Sequence, residues 1–117
     1  MTDKLGQKGE KVACQYLIRN KYDIVATNYK SGHKEIDIIT KKNGNYFFIE
    51  VKTRLKNKDD LNKIPLLQSQ VKNLKIAILD YAQKNKINLE TVNLDLIFIL
   101  VDENKNSAEL RHYQNVF

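Results

Sequence analysis

Two short apolar runs of this chain are interrupted by charge. Asp37 stands between Ile36 and Ile38, and Glu50 and Lys52 stand within Tyr46-Phe47-Phe48-Ile49-Glu50-Val51-Lys52. On a strand, Phe47, Ile49 and Val51 take one face and Phe48 shares the other with the two charges. An unpaired ion buried in such a setting costs several kcal/mol, so each charge calls for a partner or a metal. Between the runs lies Asn43-Gly44, a strong signal for a tight hairpin loop. With those two residues in the loop, Lys42 faces Asn45, Asp37 faces Glu50 and Glu35 faces Lys52, all on one sheet face. A slip of one position would scatter them. Two carboxylates about 5 Å apart at Cβ repel unless one is protonated or a divalent cation lies between them. Mg²⁺, with Mn²⁺ as a substitute, usually takes one or two carboxylates and leaves its other positions to water and phosphate, which suits Asp37, Glu50 and the backbone carbonyl of Val51. Lys52 would orient an attacking water and offset growing negative charge, and phosphodiester hydrolysis is the matching reaction.

Other residues have more than one reading. Glu10 lies on a helical row with Gly6, Ala13 and Leu17, at the border of a buried stripe, and is either a second metal or water ligand or a helix-surface acid. Glu35 is expected to bridge to Lys52 as a cross-strand pair rather than to hold metal. Lys30, Arg54, Lys56, Lys58, Lys72 and Lys75 are candidate phosphate contacts, although spacing alone would make Lys72 and Lys75 a solvated helix face. His33 reads as a turn residue, His112 as a hydrogen-bonded strand residue and Asp95 as the anchor of a structural contact, since two isolated histidines lack zinc spacing. Tyr22, Tyr29, Tyr46 and Tyr81 read as core edges rather than base-stacking platforms.

The elements that must position these groups follow from periodicity. Leu5, Gly9, Val12, Ala13, Tyr16 and Leu17 predict a helix over residues 3–20, with Thr2 or Asp3 as cap. Strands are expected at 23–29, 35–41 and 46–54, with a turn at 30–34. A polar connection over 55–63 ends near Pro65, and Leu67, Val71, Leu74, Ile78 and Ala82 restore the helical period up to residues 84–86. Residues 92–101 read as a strand covered on both faces, 108–113 as a last strand, and Val116-Phe117 as a docking tail.

At 117 residues the chain fits one domain, and 42% hydrophobic with 29% charged residues supports a packed globule. The longest apolar run is far short of the roughly 20 residues that span a bilayer, and no secretory signal is visible, so a cytoplasmic protein with no membrane partner is expected. Cys14 is the sole cysteine, which excludes an internal disulfide and leaves it the role of a small buried hydrophobe. A net charge of +6 and a pI near 9.4 suit a phosphate-bearing partner. The cations are mostly lysines, which favour backbone tracking over sequence reading.

Residues 6–17, Glu35-Ile36-Asp37-Ile38-Ile39, Phe48-Ile49-Glu50-Val51-Lys52-Thr53-Arg54, Lys72, Asp95 and the ending His112-Tyr113-Gln114-Asn115-Val116-Phe117 together resemble the YraN family of small bacterial proteins. The resemblance covers nearly the whole chain. It implies an α/β fold of the restriction-endonuclease-like PD-(D/E)XK type, a mixed sheet flanked by helices with an αβββαβ core. The glutamate of the first helix is similar to that of archaeal Holliday junction resolvases. Carried across, Glu10, Asp37, Glu50 and Lys52 form the active-site set. Where the family usually has Gly before the Glu of Glu-Ile-Asp, this chain has Lys34. The expectation is therefore a Mg²⁺-dependent endonuclease acting on nucleic acid, DNA foremost with branched DNA as one candidate substrate, either alone or as a homodimer. The alternative is a nuclease-fold module that binds nucleic acid or a DNA-processing partner without cutting.

Overall fold

A computed structural model of the protein describes residues 4–56 and 68–116. The expected caps Thr2 and Asp3, most of the polar connection with Lys58 and Pro65, and Leu67 and Phe117 lie outside the described residues. The chain forms α1 (Lys4–Arg19), β1 (Asp23–Ser31), β2 (Lys34–Lys42), β3 (Asn45–Leu55), α2 (Gln68–Lys84), a short 3₁₀ turn (Leu89–Thr91), β4 (Val92–Asp102) and β5 (Ser107–Tyr113). Every expected element is present, with shifted ends. β1 continues through Lys30 and Ser31, which shortens the turn to Gly32-His33, and β3 continues through Leu55. Lys56 then donates its backbone N–H to the carbonyl of Val101 at 2.8 Å.

The sheet order is β1-β2-β3-β4-β5. Only β3 and β4 run parallel, joined by the crossover that contains α2, and the other neighbours are antiparallel. α1 covers one face over Ile38, Ile49, Ile97, Ile99 and Val101, while Leu74, Ala77, Ile78 and Tyr81 of α2 cover the other over Ile36, Ile39, Phe48 and Leu94. This is a mixed α/β sheet flanked by two helices, compatible with a restriction-endonuclease-like core. Residues 94–101 are all buried, as a strand covered on both faces requires. None of the helices described is long and apolar enough to cross a membrane.

Asp95 is the one charged residue of that buried stretch, and it is fully satisfied. Its carboxylate lies 2.8 Å from His112 Nε2 and accepts the Asn115 backbone N–H at 2.9 Å. The other ring nitrogen of His112 meets the Tyr16 hydroxyl at 2.8 Å, so α1, β4 and β5 are tied by one polar chain. Val116, half-buried, donates its N–H to the Leu94 carbonyl, which docks the tail. Tyr22 and Tyr81 are buried and Tyr29 and Tyr46 half-buried in aromatic contacts, in keeping with core-edge roles.

The β2–β3 rungs are those the Asn43-Gly44 loop dictates, from Lys42 opposite Asn45 to Ile38 opposite Ile49. Gly44 has φ +81° and Asn43 φ +52°, the left-handed pair a tight hairpin loop needs. On the other side of β2, strict alternation fails at Asp37. Ile36 and Ile39 pack in the α2-side core and Ile38 in the α1-side core, so the pleat slips by one between them. The facing strand is locally irregular at the same place, Asn28 having φ +52° between the rungs Thr27–Ile38 and Tyr29–Ile36, while its register shifts farther back, between Ile24 and Ala26. This irregularity lets Asp37 and Ile38, neighbours in sequence, serve the same side of the sheet.

α1 approaches β3 closely because of Gly9, which is buried against Thr53, one residue beyond Lys52. A Cβ at position 9 would overlap the Thr53 hydroxyl. That contact sets the distance between α1, which carries Glu10, and the strand that carries Glu50 and Lys52. Gly9→Ala should therefore cost about 1–3 kcal/mol by overpacking, read from urea unfolding, and Thr53→Ala in the same chain should recover part of it. A Gly9→Ala protein as stable as the parent would show that the helix is not held at contact distance.

Candidate active site

The paired rungs of β2 and β3 stop at Ile38 and Ile49, and the next residues on the two strands are Asp37 and Glu50. β3 stays paired with β4 as far as Leu55 opposite Val101, so it is β2 that departs. A cleft of about 630 Å³ opens there. Leu5, Gly6 and Glu10 of α1 line it with Glu35 and Asp37 of β2 and residues 50–55 of β3. The proposed set of Glu10, Asp37, Glu50 and Lys52 is thus brought together on one cleft.

Asp37 takes over the role a main-chain acceptor would play. Its Oδ2 accepts the Val51 N–H at 2.8 Å, a bond that joins β2 to β3 just past the last rung. Burial pushes the Asp37 carboxyl up to about 7, and the neighbouring Glu50 charge adds to the shift. The Val51 amide opposes it, while a hydrogen bond with the Glu50 carboxyl and the Glu35 charge reinforce it. The two acids are therefore close enough to share a proton. Lys52 Nζ lies 3.2 Å from Glu50 Oε2 with both side chains under one-fifth exposed, at 19% and 13%. Such a pair is sheltered from solvent and is not an ordinary surface bridge.

The expected Glu35–Lys52 bridge is not formed. Glu35 pairs instead with Lys30 at 3.1 Å, its rung partner in β1. The β2–β3 ladder ends before reaching the Glu35 position, so β2 is by then held by β1 alone, and Lys52 turns to Glu50. Arg54 is exposed on the cleft, Lys56 approaches Glu109 at 3.9 Å, and Lys72 and Lys75 are exposed on α2. Lys75 borders a separate apolar hollow with Leu79 and Leu89. Cys14 is half-buried rather than buried, and burial first and the Glu10 charge second push its thiol up, away from nucleophilic use.

Some features escaped the sequence reading. The Val51 amide bond to Asp37, the Gly9–Thr53 contact and a second hollow beside Glu50 depend on strands and helices far apart in sequence. The Gly at position 9, on the apolar stripe of α1, was the one local sign of a close approach.

The profile of the uncharacterised protein family UPF0102, the YraN family, matches residues 9–99. The chain belongs to this family. The UPF0102 protein of Syntrophomonas wolfei is 30% identical over the full length of both chains. That of Christiangramia forsetii is 34% identical, covering 98% of this chain and 94% of its own. The Chloroherpeton thalassium protein is 33% identical over 96% of this chain and 87% of its own.

The acid pair carries a pH signature with a definite sign. Unfolded, Asp37 loses its proton near the ordinary 3.8, but folded it keeps it to about 7. The native state binds more protons across that window, so this group's contribution makes stability fall as pH rises through it. Asp37→Asn cannot ionise and still offers the Val51 amide an oxygen. In metal-free buffer, its melting temperature should match the parent's at about pH 4 and exceed it at about pH 8. A variant less stable than the parent at the higher pH would contradict the half-buried, proton-sharing pair.

Proposed function

We propose that this UPF0102 protein is a metal-dependent endonuclease that hydrolyses phosphodiester bonds in nucleic acid, DNA foremost and branched DNA among its substrates. The observation that carries the reading is the Asp37–Glu50 pair at the end of the β2–β3 ladder, with Lys52 beside it in an open cleft. Two acids that must share a proton to coexist are a donor set suited to a divalent cation. Among the described residues no three Asp, Glu, His or Cys side chains converge on one point. A cation would therefore keep open positions, as Mg²⁺ does when one or two carboxylates bind it.

Asp37, Glu50 and the Val51 carbonyl would hold Mg²⁺, or Mn²⁺ in its place. The Val51 N–H points at Asp37, and the N–H and C=O of a paired strand residue leave on the same edge. When bound, the ion supplies Lewis acidity toward a phosphoryl oxygen and toward water. Lys52 contributes a fixed positive charge for the developing negative charge and a donor to orient water. Glu10 lines the same cleft from α1 and would accept a hydrogen bond from water or substrate. Arg54 on the cleft, with Lys30, Lys56, Lys72 and Lys75 farther out, would contact the phosphate backbone, and Lys58 would join them from outside the described residues.

Metal binding and catalysis should separate by residue. Asp37→Ala should abolish Mn²⁺ binding in calorimetry and cleavage of labelled DNA together. Lys52→Ala should lower cleavage by about 10²–10³-fold while binding Mn²⁺ at least as tightly, because a nearby positive charge is gone. Cleavage that survives EDTA, or full activity in Lys52→Ala, would refute the mechanism. A folded protein that binds single-stranded, duplex and four-way DNA and RNA but cuts none with either ion would leave the binding-module reading in its place.

A further inference from the structure

A smaller hollow of about 160 Å³ lies on the α2 side of the acid pair. Glu35 and Glu50 line both it and the large cleft, so the two spaces meet at the acids. Its remaining surface is of a different kind. Gln70 and Asn73 stand three residues apart on one face of α2, the buried Leu74 adds an apolar patch, and His33 comes from the β1–β2 turn.

We infer that this hollow receives an unpaired nucleobase flanking the phosphate at the Asp37–Glu50 pair, and that it favours the amino-bearing bases adenine, cytosine and guanine over thymine; the inference rests on the nuclease reading above. Three features define the occupant. The volume is about half the roughly 300 Å³ at which drug-sized pockets begin, so it holds one ring system and not a whole nucleotide. Two carboxylates on its wall outnumber the one ammonium, that of Lys34, which disfavours a phosphate there and favours a neutral ligand with N–H donors. Carboxamides pair with adenine through N6 and N7, and a glutamate accepts from the amino groups of cytosine and guanine, whereas thymine has no amino group to give. The apolar side chain and imidazole supply the surfaces on which a splayed base packs. A base stacked in an intact duplex cannot enter without being flipped out, so the substrate class is nucleic acid with an unpaired nucleotide beside the cut: single strands, frayed ends or branch points.

The test uses short single-stranded oligonucleotides of equal length carrying adenine, cytosine, thymine or abasic sugars, with the intact chain in Ca²⁺ or metal-free buffer. Heteronuclear NMR follows the side-chain carboxamide signals of Gln70 and Asn73, and titration gives affinities. Adenine and cytosine strands should move those signals and bind about tenfold tighter than the abasic strand. Gln70→Ala with Asn73→Ala should shrink that difference to within about twofold while leaving abasic binding unchanged. Carboxamide signals that stay still, equal affinity for based and abasic strands, or no binding of any strand would overturn the inference. Cleavage with Mg²⁺ or Mn²⁺ is scored separately. Cutting without base preference removes the subsite and keeps the nuclease, and base preference without cutting does the reverse.

Discussion

The structure depends on how the Val51 amide is satisfied after β2 leaves β3. A buried backbone N–H with no acceptor costs about 1–3 kcal/mol, and the departing strand takes its carbonyls away. The Asp37 carboxylate supplies the missing acceptor. In doing so it is drawn into the same space as Glu50, which the hairpin register places at the next position. β3 can tolerate the loss on that edge because β4 holds the other one, rung by rung, as far as Leu55. The parallel β3–β4 pair and its two-sided core thus provide the rigidity, and the antiparallel hairpin provides the acids.

Two aspartates, one buried and one half-buried, show how environment divides roles. Asp95 is fully buried, yet its oxygens meet His112 and the Asn115 amide, and Tyr16 completes the chain from α1. Such a satisfied network fixes where α1, β4 and the tail sit. Asp37 is less deeply placed but stands beside a like charge, and its carboxyl rises to about 7. Its coexistence with Glu50 depends on a proton that a cation could replace, and on the proposed reading that marks the cleft rather than the Asp95 network as the place for a ligand.

Much of this was legible locally. Asn43-Gly44 fixed the hairpin register because a tight loop leaves no freedom in which residues oppose, and the apolar flanks of Asp37 and Glu50 made their burial a foreseeable conflict. Helices and strands followed from periodicity, with ends displaced where capping and pairing are settled by tertiary contacts, as in β1, which pairing with β2 extends to Ser31. The Glu35 partner was misjudged for a related reason. Extrapolating the rungs assumes that the ladder continues, and only the three-dimensional course of β2 reveals that it ends at Ile38. The irregularity at Asn28 and Asp37 and the hollow between α2 and the β1–β2 turn arise from segments distant in sequence with no short-range pattern to encode them, and of the Gly9–Thr53 approach only the glycine shows locally.

Charge distribution then links the two ligands that the proposed activity needs. The chain as a whole carries +6, which draws a polyanion toward it, but the cleft is lined by Glu10, Glu35, Asp37 and Glu50 against Lys52 and Arg54. Long-range attraction and local repulsion therefore oppose each other at the point where a phosphate must arrive. A divalent cation between the acids offsets the local negative charge and removes the need for a shared proton in one step. On this reading cation and phosphate each strengthen the other's binding, a coupling that thermodynamic linkage makes reciprocal. On the same reading the basic surface would hold nucleic acid without metal, and only the loaded cleft would bring its backbone against Lys52.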